Sequence, residues 1–268
     1  MITDVHYAIQ TCDINSYQNQ KRYASDSKTE ISKKCIKSFL ESVRECLLKK
    51  PEIKHTVAII DDHSTNELVS FIEECVIEYS DIFINFIKLT EKTGIAKSIE
   101  SCYEWLRDNG KGLVYQVQDD YLFTRNAILD MIDIYEQILA ESGSQSIISP
   151  WNDSWLWLTH YRNRQTPRIV IVGRKGYWIQ YYDMSCSFMT SHEQFTKHWD
   201  LYTIFFYMID RIKQNNNDLE NKSLNYMLTQ RNVLGLVPVN SLAFHLQSDL
   251  EKDPHIDYKP LWDSINVT

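Results

Sequence analysis

The chain has 268 residues, with 28 Lys and Arg against 36 Asp and Glu, a formal net charge of −8. This acidic balance argues against a broad nucleic-acid footprint, which needs a basic face, though a local basic pocket remains compatible with it. Apolar residues make up 43% of the chain, enough for a real core, while only 7 Gly and no GxGxxG, GxxxxGKS or GxxxxGKT string take away the main support for ordinary dinucleotide and P-loop sites.

The first 150 residues alternate between two periods. Val5 to Thr11 reads as a strand. Ile31, Cys35, Phe39, Val43 and Leu47 then recur at helical spacing. His55 to Ile60 is a second strand, followed by a helix with Leu68, Phe71, Ile72, Cys75, Val76 and Tyr79 on one face. Ile82 to Ile87 is a third strand, and Ile95, Ile99, Cys102, Tyr103 and Leu106 mark the next helix. Gly112 to Gln118 is a fourth strand, Ile128, Ile132, Tyr135 and Leu139 a fourth helix, and Gln145 to Ser149 a short fifth strand. Strict alternation of strand and helix means βαβ units, and hence an α/β fold on a mainly parallel sheet.

Past residue 150 the pattern becomes mixed α+β and continues the same sheet. Trp151 to Tyr182 is rich in aromatic residues and turns. Arg168 to Val172 and Tyr177 to Tyr182 read as strands around a turn at Gly173 to Gly176, and Met184 to Thr190 as another strand. Helices are expected over 199–213 and 219–230, and a last strand over Leu234 to Val239. Asp249 to Thr268 reads as an extended tail lying on the body. The N-terminus lacks the pattern of a secretory signal, and the longest apolar run, around Leu201 to Ile209, is about half what a membrane span needs. Six Cys show no CxxC spacing, and Cys35, Cys46, Cys75 and Cys102 fall on apolar helix faces. The expectation is a chain without a transmembrane segment in a reducing, cytoplasmic compartment.

In an open parallel sheet, ligands bind outside the carboxyl ends of the strands. Strand one ends at Thr11-Cys12-Asp13, strand two at Asp61-Asp62-His63-Ser64 and strand four at Asp119-Asp120-Tyr121, so five carboxylates are expected on one edge. Converging carboxylates repel unless a positive charge lies between them. A hard divalent cation, Mg²⁺ or Mn²⁺ rather than Zn²⁺, is the natural guest, and such an ion suits a diphosphate. Either pair alone also reads as ordinary turn chemistry, with Asp62 or Ser64 capping the helix that begins near Asn66.

The string VAIIDDHSTNELVSFI, then Gly94-Ile-Ala-Lys-Ser, then VYQVQDDYLF, resembles the GT-A fold glycosyltransferases of the broad family-2 type. The resemblance covers about residues 5 to 125 well and continues loosely to residue 247. It implies a donor-binding half over 1–150, an acceptor-binding half over 151–248 and a tail over 249–268. It further implies a metal-dependent transfer of sugar from a nucleotide-diphosphate sugar to a saccharide, lipid-linked or protein hydroxyl acceptor, inverting in outcome, or retaining where no late general base serves. The matching residues give Asp61 and Asp62 to the nucleoside, and Asp119 and Asp120 to the DxD-type site, whose last Asp binds Mn²⁺ or Mg²⁺. The spelling here is Gln118-Asp119-Asp120-Tyr121 instead of DxD. Thr11 and Asp13 match the first nucleoside-contacting loop. Gly94 and Lys97 lie where the third helix begins, and Lys97 is equally a solvated helix residue.

Family members supply the general base from a Glu-Asp pair at the start of a late helix. Here Glu220 is followed by Asn221, which leaves Glu220, then Asp218, as the candidate base, with helix capping as the alternative role for both. His245 stands where many such enzymes complete the metal site. Trp151, Asn152 and Asp153 lie closest to the metal edge on the acceptor side, in an aromatic stretch that either stacks on sugar or packs a core. The missing Asp after Glu220 also allows a catalytically degenerate domain that binds nucleotide or glycan without turnover. A nucleotidyltransferase of related topology would need a Gly-rich N-terminal loop, and residues 8–22 contain no Gly.

Overall fold

The computed structural model describes residues 2–14, 27–152, 169–181, 187–203, 228, 231, 233–246 and 256–267. The alternation read from the sequence runs as expected through β1 (Asp4–Thr11), α1 (Lys28–Lys49), β2 (Lys54–Asp61), α2 (Asn66–Glu78), β3 (Phe83–Lys88), α3 (Ile95–Asn109) and β4 (Leu113–Gln118). There follow β5 (Tyr121–Phe123), α4 (Ala127–Ser142), β6 (Ser146–Ile148), β7 (Val170–Gly173), β8 (Gly176–Gln180), β9 (Phe188–Ser191), α5 (His192–Lys197), β10 (Leu234–Pro238), β11 (Ala243–His245) and α6 (Lys259–Ser264).

Among the described residues the main sheet has nine strands in the order β3-β2-β1-β4-β9-β6-β10-β8-β7. The four strands β3, β2, β1 and β4 are mutually parallel. β9 then runs antiparallel between β4 and β6, so the second half does extend the first half's sheet. Strand β1 lies in the middle of the parallel part, and the chain leaves β3 at the edge to return as β4 on β1's other side. This reversal of strand order leaves a crevice at the carboxyl ends of β1 and β4, where such sheets bind ligands.

Helices cover both faces. Tyr7, Ile9, Val57, Ile59, Tyr115 and Val117 pack under α1, α2 and α4 on one side. Ala8, Ala58, Ile60 and Val114 pack under α3 and α5 on the other, with Tyr103, Phe188, Phe195 and Tyr202. Consecutive residues of a strand point to opposite faces, and two-sided burial explains why these strands read as nearly continuous apolar runs. Gly112, with φ +60°, is required where it stands: a Cβ there would lie 2.2 Å from the Asp4 carbonyl oxygen.

Several elements depart from the sequence reading. Neither Asp62 nor Ser64 caps α2; Thr65 does, its hydroxyl accepting from the Leu68 amide. Helix α5, capped by the Ser191 hydroxyl, lies between the expected strand and the helix expected from residue 199, where 199–203 are helical. The tail is not wholly extended: α6 starts with Pro260 in its first turn and buries Trp262. Trp262 packs with Tyr258, Ile31, Cys35, Leu122 and Phe244, so the tail does lie on the body. Among the described residues, strands β5 and β11 pair only with each other. Three residues are too few for a period-2 pattern to register. No helix among the described residues is long and apolar enough to cross a membrane.

Candidate active site

The site is built at the carboxyl ends of β1, β2 and β4. Burial there comes with partners, and the partners differ from one carboxylate to the next.

Asp13, just past β1, is buried and acts as a clasp between two helix starts. Its carboxylate accepts from the Thr65 amide at 2.7 Å, the Thr65 hydroxyl at 2.5 Å and the Thr29 hydroxyl at 2.7 Å. Thr65 begins α2 and Thr29 lies in the first turn of α1, whose positive helix ends suit a carboxylate.

Asp62, only 1% exposed, performs the same service for α3. Its carboxylate accepts from the Thr93 amide at 2.8 Å and the Gly94 amide at 2.7 Å, with the Thr93 hydroxyl at 3.3 Å. Gly94 is the α3 N-cap with φ +81°, and no side chain caps that helix from within. Asp62 therefore sets where the α3 N-terminus begins. Its neighbour Asp61 accepts from the Ser64 amide, at 3.2 Å and 3.4 Å, and burial raises its carboxyl above the usual carboxylate range. Between them and Ser64, His63 holds φ 61°, a left-handed turn that non-glycine residues seldom adopt.

Asp119 is engaged by the first two turns of α1 and the end of β1. One oxygen receives the Lys28 ammonium at 2.6 Å. The other accepts from the Ser32 hydroxyl at 2.7 Å, the Thr11 hydroxyl at 2.9 Å and the Cys12 amide at 3.3 Å. Asp120 turns the other way. Its Oδ2 lies 3.4 Å from Nε2 of His245, and its backbone carbonyl accepts from the Leu246 amide at 2.9 Å. The β5–β11 ladder sets His245 opposite Tyr121. The imidazole stacks on the Tyr121 ring at 4.6 Å and meets Trp151 edge-on at 5.8 Å. Five carboxylates thus share the edge but do not converge on one point, because helix starts and Lys28 draw three of them away.

The remaining candidates divide. Asn152 is 4% exposed and its side-chain amide donates to the carbonyls of Pro238 and Val239, at 3.0 Å and 3.1 Å, tying down the turn between β10 and β11. Lys97 is exposed and pairs with Glu100, one turn on. Thr11 donates to Asp119 and so joins the latch. Asp153, Asp218 and Glu220 lie outside the described residues. The reading of the sequence missed Lys28, Thr29, Ser32, Thr65 and Thr93. One signal was available for Lys28: a lysine at the first position of a helix opposes the helix dipole and calls for a compensating acid.

Asp120 and His245 are the residues whose chemistry fits a cation. A carboxylate oxygen suits Mn²⁺ or Mg²⁺, and an imidazole nitrogen beside it favours Mn²⁺, the softer of the two. Among the described residues no group of three His, Cys, Asp or Glu could hold a metal ion. A two-ligand set is adequate where phosphate oxygens and water complete the shell, as hard cations on nucleotide substrates do.

No family model and no curated protein matches the chain. Solved structures do. GalNAc-T7, solved with UDP, GalNAc and Mn²⁺, superposes with a TM-score of 0.50 at 10% identity, over 88% of this chain and 42% of that one. The mannosyltransferase PcManGT from Pyrobaculum calidifontis, in complex with GDP-Man and Mn²⁺, gives 0.49 at 14% identity over 87% of this chain and 54% of that one. A UDP-glucose pyrophosphorylase gives 0.48 at 10% identity, over 92% and 94%. The chain spans about half the length of the glycosyltransferase chains it matches. The GalNAc-T7 likeness is one of fold: a mainly parallel central sheet flanked by helices, of the GT-A type.

Proposed function

We propose that the chain is a nucleotide-sugar-dependent glycosyltransferase whose donor site is the carboxyl edge of β1, β2 and β4. The observation that carries this reading is the pairing of Asp120 with His245 at 3.4 Å, beside the crevice where the strand order reverses. In this reading Asp120 and His245 would hold the Mn²⁺ or Mg²⁺ that accompanies the donor diphosphate. A cation bound there would offset the negative charge that grows on the leaving group. Asp61 orients the nucleoside, while Asp13 and Asp62 shape the walls by fixing the helix starts. Trp151, edge-on to His245, lies on the acceptor side, with Asn152 holding its loop and Asp153 following it. Glu220 or Asp218 takes the acceptor hydroxyl's proton in an inverting displacement. The acceptor is a saccharide, lipid-linked or protein hydroxyl. The buried free thiols of Cys35, Cys46, Cys75 and Cys102 support a reducing, cytoplasmic setting.

A second reading, a degenerate domain that binds donor without transfer, draws support from the uptake of Asp119 by Lys28, which removes one carboxylate from the edge. Donor hydrolysis separates the two. Purified chain is incubated with UDP-, GDP- and dTDP-sugars and Mn²⁺, with and without a panel of hydroxyl acceptors. Slow release of nucleoside diphosphate, accelerated by an acceptor, is expected; tight nucleotide binding with no release from any donor would favour the degenerate domain.

A further inference from the structure

We propose that Asp119 and Lys28 form a positioning pair that builds the donor site without touching the donor or its cation. The proposal rests on the reading of this edge as a nucleotide-sugar site. Four donors reach Asp119, and they come from two elements: Thr11 and Cys12 at the end of β1, and Lys28 and Ser32 in the first two turns of α1, while Asp119 itself follows the last residue of a third, β4. Both carboxylate oxygens are occupied, and the pair's side chains are each only 10% exposed. A carboxylate so engaged would have to give up its ammonium partner to reach a cation, and breaking a buried pair is strongly unfavourable.

The pair has a definite mechanical consequence. It pins the ends of β1 and β4 to α1 at the crevice, and the next residue along the chain is Asp120. Asp120 is therefore held on the β11 side, beside His245, and the two adjacent acids have different duties: Asp119 fixes the edge and Asp120 presents its carboxylate. Lys28 supplies the charge that lets two acids sit side by side.

The test uses full-length chain, MnCl₂, and whichever of UDP, GDP or dTDP the wild type binds, with Mn²⁺ affinity read by calorimetry at saturating nucleotide. Outer-shell partners of a metal site cost about 10- to 100-fold when removed, so Asp120→Asn, which removes a ligand, is expected to weaken Mn²⁺ by more than about a hundredfold. Asp119→Asn and Lys28→Met are expected to weaken both Mn²⁺ and nucleotide by about tenfold, the scale of an outer-shell partner and well short of the loss of a ligand. Because the two residues act as one unit, the double variant should bind nucleotide no worse than the weaker single variant. Lys28→Arg keeps the cation and should recover wild-type binding.

Loss of Mn²⁺ in Asp119→Asn equal to that in Asp120→Asn would make Asp119 a ligand and overturn the assignment. Multiplying effects in the double variant would overturn it too. If Asp119→Asn does not fold, the Lys28 variants decide: Lys28→Met binding nucleotide like wild type sinks the pair. A wild type that binds no nucleotide, with or without Mn²⁺, sinks the transferase reading itself and the pair's role with it.

Discussion

Replacing Asp62 by Ala isolates what holds the start of α3. The carboxylate accepts two main-chain amides, at 2.8 Å and 2.7 Å, and one hydroxyl at 3.3 Å. Hydrogen bonds to a charged group contribute about 1.5–3 kcal/mol each, so the two amide bonds alone suggest a loss of about 3–6 kcal/mol. That figure assumes the orphaned amides stay dry. Thr93 and Gly94 are exposed, so water can reach their N–H groups once the carboxylate is gone, and the cost falls to about 1–3 kcal/mol. The loss should also be local. Ser98 donates to the Gly94 carbonyl, and α3 has no other side-chain N-cap, so its first turn should fray while Ile99, Cys102 and Leu106 keep the rest packed. Amide hydrogen exchange followed by mass spectrometry reads this directly: peptides covering 93–98 should exchange faster while those covering 102–109 keep their protection. Unchanged exchange at 93–98 in Asp62→Ala would refute the clasp, and uniform loss along α3 would refute its local character.

Other consequences are as concrete. Burial lowers the His55 imidazole to about 4, and its Nδ1 lies 2.9 Å from the Tyr7 hydroxyl. A folded value below the unfolded one of about 6.5 means stability present above pH 6.5 is lost as the pH falls toward 4, by about 3 kcal/mol in all. His55→Gln, which keeps an acceptor but does not titrate, should flatten that slope in urea melts from pH 7 to 4; an unaltered slope would contradict it. Asp61 has the opposite sign: burial raises its carboxyl, so the ionised form opposes folding at neutral pH and the penalty is relieved as pH falls through the raised value. Asp61→Asn should therefore melt higher than wild type at pH 7 yet bind nucleotide more weakly, and a lower melting temperature would count against this. Gly94→Ala meets no atom within 4 Å but must adopt φ +81°, so the cost is backbone strain of about 1 kcal/mol, seen as a slightly lower urea midpoint. A loss several times larger would mean the loop is packed more tightly than the structure shows.

What the sequence made legible follows from local chemistry. Apolar runs alternating with helical spacing were enough for the parallel sheet, and acids at the ends of β1, β2 and β4 were enough to locate the edge. Partner choice was not legible, because it depends on residues distant in the chain. Lys28 reaches Asp119 across 91 positions, and Thr93 reaches Asp62 across 31. A string of two Asp looks the same whether both face a ligand or one holds a helix start. Strands β5 and β11 escaped for a different reason. Each is three residues long and neither would form alone, yet their pairing places His245 beside Asp120. The aromatic stretch from Trp151 reads equally as platform or packing, and in the structure Trp151 meets His245 edge-on while also packing against the core, and Trp178 and Tyr181 are core.

The most direct test of the account is a thermal-shift titration of the chain and of Asp120→Ala with UDP, GDP and dTDP, each with and without Mn²⁺. A ligand at a hundred times its dissociation constant stabilises the fold by about 2.7 kcal/mol, a shift of several degrees for a chain of this size. The account predicts that shift for at least one nucleotide with Mn²⁺, a much smaller one without the metal, and none of the metal-dependent part in Asp120→Ala. A metal-dependent shift as large in Asp120→Ala as in the wild type, or no shift with any nucleotide, would contradict it.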